Sequence, residues 1–181
     1  MSRRYPTIRE RCAPVKLECT LRATRMPSTI GLISDTHGRC RPDVTSALSG
    51  VDLILHAGDV GSRDVLVELR TIAPVQAVYG NVDDPWDPML ADVRFLERDG
   101  WTIALTHGHL VPRLTPEALL RRYDTRIVVF GHTHRPAEYR TDGRLAVNPG
   151  AAGPRRFDIT PSVARLMLWE ERVEVRFVPL G

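Results

Sequence analysis

Cysteine is scarce in this chain: Cys12, Cys19 and Cys40 are the three it has. An odd number, two of them within the first 25 residues, fits no disulfide framework and suits a reducing compartment. Long apolar runs are missing as well. No stretch of about 18 apolar residues is available to cross a bilayer as a helix, and the first 30 residues lack the apolar segment of a secretory leader. A soluble cytoplasmic protein with no membrane partner is therefore expected. Internal repeats are absent, and biased composition is confined to the proline-rich stretch 85–88 and the glycine-proline segment 149–154. With 181 residues, the chain is long enough for one domain with a substantial core and too short to make two comfortably.

A basic excess is missing from most of the molecule, although the net charge is +3. Residues 1–25 carry Arg3, Arg4, Arg9, Arg11, Lys16, Arg22 and Arg25 against Glu10 and Glu18, a local excess of +5 that leaves the remainder at −2. The body thus offers little to a nucleic-acid backbone, and specific nucleic-acid binding is not expected. Residues 1–28 read as a basic arm, either disordered or an over-extended start with Met26 as an alternative initiation point. A transit peptide is disfavoured because Glu10, Glu18, Pro6 and Pro14 spoil a long amphipathic helix. The domain proper is expected over 29–181.

What is present is a rhythm of short strands, polar loops and helices. Thr29 to Ser34 is a buried strand by length and branching. Asp43 is expected to cap a short helix with Val44, Ala47 and Leu48 inward, and Val51 to His56 to form the next strand. Ser62 caps a helix whose Val65, Leu66, Leu69 and Ile72 share a face, and Pro74 ends it. Val75 to Tyr79 is the third strand. This half implies parallel pairing, with ligands at the carboxyl ends of strands. In the second half, Val93 to Leu96 with Trp101 to Thr106, and Ala137 to Arg140 with Leu145 to Val147, flank Asp99-Gly100 and Asp142-Gly143 as tight hairpins. Thr115-Pro116-Glu117 opens a helix, Ile127 to Phe130 is a buried strand, and Val163 to Trp169 with Val173 to Val178 closes the chain. The economical architecture is an α/β (α+β) four-layer αββα sandwich of two mixed sheets flanked by helices.

Five polar motifs fall just after expected strands: Asp35-Thr36-His37, Gly58-Asp59, Gly80-Asn81, Thr106-His107-Gly108-His109 and Gly131-His132-Thr133-His134. Any one alone is an ordinary turn. All five at strand ends that one sheet edge can gather are a candidate site. Divalent cations need anionic oxygen to offset their charge and neutral imidazoles that bind without adding any. In an extended segment alternate residues share a side, so Asp35 with His37, and His132 with His134, are expected to project in pairs. Gly58, Gly80, Gly108 and Gly131 beside them are expected to permit sharp turns and close approach of backbone to phosphate.

This motif set resembles the calcineurin-like metallophosphoesterase superfamily. The short body with Gly-His-Thr-His-Arg-Pro and Asn148-Pro149-Gly150 is similar to its small phosphodiesterase branch, the YfcE/MJ0936-like family, over roughly Thr29 to the C-terminus. The resemblance implies two divalent metal ions, manganese foremost, with iron, nickel, cobalt and zinc as alternatives. It implies Asp35, His37 and His134 as ligands of the first, Asn81, His107 and His132 as ligands of the second, and Asp59 bridging both. Asp59, Asn81 and His107 would carry the catalysis. The implied reaction is hydrolysis of a small phosphodiester by in-line attack of a metal-bridging hydroxide, because two cations sharing a water lower its pKa from about 15.7 toward about 7.

One position departs from the wider superfamily. After Asn81, where many members have a histidine that protonates the leaving oxygen, this chain has Val82. Diesters with acidic leaving groups are therefore expected to be better substrates than alkyl monoesters. His109 can face the site as a donor or serve in support, and Arg155 and Arg156 can bind an anionic substrate or stay solvated. His56, inside an apolar strand, reads as a core histidine supporting the Asp59 loop. Trp86 can stack on a ring of the substrate or anchor its own loop to the body. The rival readings are a non-catalytic metal-binding scaffold of the retromer-subunit type and a phosphomonoesterase on the same fold. A homodimer or higher oligomer stays open.

Overall fold

Short runs of branched apolar residues make the strands, and polar starts followed by spaced apolar residues make the helices. The computed structural model describes residues 26–155 and 158–181; the expected basic arm, apart from its last residues, and the candidate Arg156 lie outside them. The elements in chain order are β1 (Ser28–Ile33), α1 (Pro42–Ala47), β2 (Leu53–His56), α2 (Arg63–Arg70), β3 (Val75–Ala77), β4 (Val93–Arg98) and β5 (Trp101–Thr106). Then follow α3 (Pro116–Arg122), β6 (Ile127–Val129), β7 (Ala137–Thr141), β8 (Arg144–Asn148), β9 (Ser162–Leu168) and β10 (Val173–Pro179).

Two five-stranded mixed sheets result, ordered β10-β9-β1-β2-β3 and β4-β5-β6-β8-β7. The first three strands run parallel, with Leu32 opposite Leu55 and Ile54 opposite Val75. Both expected hairpins form at left-handed Asp-Gly turns, Asp99 (φ 48°) with Gly100 (φ 78°) and Asp142 (φ 48°) with Gly143 (φ 72°), the primed geometry that matches strand twist. Parallel pairing of β5 with β6 and of β6 with β8 joins the hairpins into one sheet.

The inner faces of the two sheets meet through Ile30, Leu32, Leu55, Ile103, Ile127, Val129 and Leu166. Each such buried aliphatic side chain contributes about 1.5–3 kcal/mol from the water it leaves. On the outer face of the first sheet, Val44 and Leu48 of the α1 region and Val65, Leu66 and Leu69 of α2 pack on Ile33 and Ile54. On the outer face of the second, Leu119 and Leu120 of α3 cover Ala104, Val128 and Ala146. This is the four-layer αββα sandwich. Among the described residues no helix is long and apolar enough to cross a membrane.

Three local expectations are corrected. Arg41, not Asp43, is the N-cap of α1, and no side chain caps it. Pro42 takes the first helical position, where its fixed φ and missing N–H cost nothing. Asp43 instead accepts from the backbone N–H of Gly181 at 2.9 Å. The third strand stops at Ala77, because beyond it Val78 finds only a single bridge to Ala91. The second strand begins at Leu53 rather than Val51. Ser62 and Thr115 cap α2 and α3 as expected, accepting from Asp64 and Ala118 N–H.

Candidate metal centre

The carboxyl ends of β1, β2, β3, β5 and β6 point to one edge of the sandwich, and the five polar motifs follow them there. Donor atoms of Asp35, His37, Asp59 and His134 all lie within 4.8 Å of one another. His134 Nε2 is 3.1 Å from Asp35 Oδ1, and His37 Nε2 is 3.4 Å from His134 Nε2 and 3.8 Å from Asp59 Oδ2. The other oxygen of Asp59, Oδ1, is 3.4 Å from His107 Nε2. His107 Nε2 in turn is 3.2 Å from Asn81 Oδ1, which is 3.0 Å from His132 Nδ1. The Asp59 carboxylate therefore stands between two donor groups, one oxygen toward each. All seven residues singled out as ligands in the sequence meet here.

The way they are aimed differs from the sequence expectation. Strand alternation is not the device, because Asp35 (φ 54°), His37 (φ 49°), Asp59 (φ 53°), His132 (φ 68°) and His134 (φ 59°) all occupy the left-handed region. That conformation costs non-glycine residues on the order of 1–3 kcal/mol each and persists only where surroundings over-determine it. Here the surroundings are backbone hydrogen bonds that lace the first two loops: Asp35 N–H to Gly58 O at 3.0 Å, His37 N–H to Asp59 O at 3.0 Å and Gly38 N–H to Val60 O at 2.7 Å. The room made by two of the glycines serves protein atoms rather than phosphate. A Cβ on Gly80 would overlap the side chain and backbone nitrogen of Asp59, and one on Gly131 would overlap Ser34 Oγ and lie 2.7 Å from Ala57 O.

The donor chemistry fits a cation. His107 Nδ1 is 2.7 Å from Ala57 O, and a carbonyl only accepts, so Nδ1 carries a proton; in the neutral tautomer that a cation requires, the Nε2 lone pair faces Asp59 Oδ1 and Asn81 Oδ1. Three electron-pair donors then face one another, which a positive ion between them resolves. Asp35 Oδ1 is likewise buried without a hydrogen bond of good geometry. Burial pushes the Asp35 carboxyl up, but the His134 contact, the nearby His107 and the Ser34 hydroxyl outweigh it and hold the group below the usual carboxylate range. Partial burial, followed by the proximity of His107, lowers the pKa of His132 and favours its neutral, ligating form. These residues would hold divalent metal.

Supporting groups were less visible in the sequence. The Asp83 carboxylate accepts from three backbone N–H groups, Val60 at 3.0 Å, Gly61 at 2.7 Å and Gly80 at 2.8 Å, so it pins the Asp59 loop to the Asn81 loop. Buried Asn148 donates to Gly131 O at 2.8 Å and Thr133 Oγ1 at 3.0 Å and accepts from Gly150 N–H at 2.9 Å, shaping the His132–His134 loop. Ser34 Oγ donates to Asp35 Oδ2 at 2.6 Å. His56 is fully buried, with Nε2 2.9 Å from Thr36 Oγ1, whose hydroxyl is 3.0 Å from Val60 O. The expected support of the Asp59 loop thus runs through Thr36. Burial drives the His56 pKa down to about 4, so the ring is neutral.

The remaining candidates divide. His109 lies edge-on to Tyr79, ring centres 5.6 Å apart, and 5.2 Å from the His107 ring; burial, then His107 and His132, lower its pKa. It borders the cage without joining the donor set. Val82 has a half-exposed side chain, and its backbone N–H donates to Asp59 Oδ1 at 3.1 Å. Trp86 is 89% exposed, which overturns its reading as an anchor for its loop; the Asp84 side chain holds that loop instead, accepting from the Trp86 N–H at 2.9 Å. Arg155 is exposed on the rim of a groove that also includes His132 and His134.

Residues 29–171 match the calcineurin-like phosphoesterase superfamily domain. The chain belongs to that superfamily. It is 36% identical over 163 residues to a probable metallophosphoesterase of Methanothermobacter thermautotrophicus, covering 84% of this chain and 92% of that one. Among solved structures, a novel archaeal phosphodiesterase superposes with a TM-score of 0.68 at 26% identity, over 84% of this chain and 99% of that one. Wild-type Vps29 of Entamoeba histolytica complexed with Zn2+ superposes with a TM-score of 0.65 at 25% identity, over 83% and 98%.

Proposed function

We propose that this chain is a binuclear-metal phosphodiesterase of the cytoplasm acting on small diesters. The observation that carries the reading is the Asp59 carboxylate, whose two oxygens face two separate donor groups. Asp35, His37 and His134 with Asp59 would hold one divalent ion, and Asn81, His107 and His132 with Asp59 the other. Manganese is the expected ion; oxygen and imidazole donors also suit iron, nickel, cobalt or zinc. When bound, such a pair acidifies a shared water and offsets charge on phosphate oxygens. The likeness to an archaeal phosphodiesterase supports the choice of diesters.

The protein's own groups perform the rest. His107, fixed by Ala57 O, presents Nε2 without a proton, and Asp59 brings negative charge to the middle of the cage. Asn81 turns Oδ1 toward the imidazoles, which leaves its Nδ2 to donate to a phosphate oxygen as charge develops. Val82 carries no proton for the departing alcohol, so the leaving group must be acidic enough to depart as an anion. That requirement favours activated diesters over alkyl monoesters.

A metal-binding scaffold without turnover is the second reading, favoured by the likeness to zinc-bound Vps29. One experiment separates them. Metal is stripped, each divalent ion is restored singly, and a chromogenic diester and monoester are assayed with wild type and Asp59→Asn. Turnover in the wild type that falls at least roughly a hundredfold in the variant is expected. Full activity in Asp59→Asn overturns the bridging role, and no turnover with any ion establishes the scaffold.

A further inference from the structure

A groove of about 310 Å³ opens directly off the cage, with His132 and His134 in one wall, a size at the lower end of small-ligand sites, roughly 300–1,000 Å³. Its opposite wall is pinned to the Asp35 loop by two hydrogen bonds, Ala152 N–H to Ser34 O at 2.9 Å and Gly153 N–H to Asp35 O at 3.1 Å. Gly153 sits so close that a Cβ there would lie 2.6 Å from Asp35 O. Two cations border the groove and each is tethered to the cage: Arg135 follows the His134 donor directly, and Arg155 stands two residues past Gly153. Ala151, Pro154, Ile159 and Pro161 supply the apolar surface. Among the described residues no acidic side chain lines it.

The two guanidinium groups are unlike many others in the molecule. Arg63, Arg140 and Arg172 are paired with carboxylates, while Arg94, Arg144 and Arg165 donate to backbone carbonyls. Among the described residues Arg135 and Arg155 have no such partner, and both are exposed. A planar fork of donors left unpaired beside an apolar slot matches a carboxylate or phosphate attached to a small apolar or ring-shaped body.

We propose that this groove binds one alcohol of the diester and that the preferred substrate class carries a second anionic group on that alcohol, held by Arg135 and Arg155. The proposal rests on the phosphodiesterase reading, because it places the scissile phosphate in the cage and the alcohol in the groove. It goes beyond that reading in specifying the substrate.

Two near-isosteric chromogenic diesters test it: p-nitrophenyl phenyl phosphate and p-nitrophenyl p-carboxyphenyl phosphate, compared on the metal-loaded protein. The carboxylated ester is expected to have the higher kcat/KM by roughly tenfold, mostly through a lower KM, as one charge-assisted bidentate contact provides. In Arg155→Gln and Arg135→Gln that ratio should fall toward one, whatever happens to the absolute rates. Arg155→Glu should invert it. Calorimetry with the unreactive phenylphosphonate and p-carboxyphenylphosphonate supplies a readout free of turnover, and the same preference, weakening with salt, is expected. If both esters turn over equally and the phosphonates bind equally, the groove assignment is overturned while the phosphodiesterase reading stands. If neither ester is hydrolysed but the carboxylated phosphonate binds better in wild type and not in Arg155→Gln, the groove stands and the hydrolytic reading fails.

Discussion

The two halves of the cage are built differently. Asp35, Asp59 and His107 are at most 2% exposed, and they sit where backbone hydrogen bonds lace consecutive parallel-strand loops together. Asn81 and His132 on the other side are exposed, and the His132–His134 loop is held by two side chains, Asn148 and Asp35, whose Oδ2 accepts from the His132 N–H at 3.2 Å. The buried half resists rearrangement because any donor that moved would strand polar atoms away from water. The exposed half can shift at lower cost. For the proposed phosphodiesterase, a cage with one rigid wall and one adjustable wall would keep its charge in place while admitting a substrate past the other side.

The rigid half breaks most severely where there is no space to give. In Gly80→Ala the new methyl group meets the backbone nitrogen of Asp59 as well as its carboxylate, so a rotamer change cannot relieve the overlap. A destabilisation on the order of 3 kcal/mol is expected, with loss of divalent-ion uptake, measured by denaturant unfolding and calorimetry. Unchanged uptake would show that the Asp59 loop is not held as tightly as its packing implies.

Acid attacks the same half through His56. Its folded-state pKa of about 4 lies below the unfolded value of about 6.5, so the unfolded chain binds the proton more tightly. The stability tied to the neutral ring is full above about pH 6.5 and is lost as pH falls toward about 4, up to roughly 3 kcal/mol at 1.4 kcal/mol per unit. Asp35, held below the ordinary carboxylate range, adds its loss only at more acidic pH. Unfolding of metal-free protein across this window should steepen with acid, and His56→Gln should flatten the part between about pH 6.5 and 4.

The adjustable half should fail more gently. Asn148→Ala removes two donated hydrogen bonds and leaves the Gly150 N–H without its acceptor, costing about 2 kcal/mol. Affinity for divalent ions should fall about 10–100-fold, as loss of a supporting contact typically causes. If unfolding shows the loss but calorimetry finds divalent-ion uptake unchanged, the loop holds its shape without Asn148.

This asymmetry also explains what was legible in the sequence. The convergence of the seven candidate residues could be read because Asp and His clusters after strands are costly and rare, and the Asp99-Gly100 and Asp142-Gly143 hairpins because their turn chemistry is local. The parallel pairing of β5, β6 and β8 depends on contacts across intervening segments, which no local pattern records. The aiming of the donors was misread: alternation was the available rule, but left-handed residues locked by neighbouring loops do the aiming. Asp83 and Asn148 escaped as anchors because a single polar residue in a loop carries no sign of the backbone groups it will satisfy.

The smallest structural change concerns Val82, whose side chain is half exposed at the mouth while its N–H binds Asp59 Oδ1. Because the backbone makes that contact, Val82→His keeps it, and stability should change by no more than about 0.5 kcal/mol. The imidazole would add a proton donor at a position where the wild-type side chain is aliphatic. Monoesterase activity should rise relative to diesterase activity by roughly tenfold or more, the low end of general-acid assistance, with a new acidic limb in the pH–rate profile. A ratio that stays fixed would mean that position 82 does not reach the leaving group.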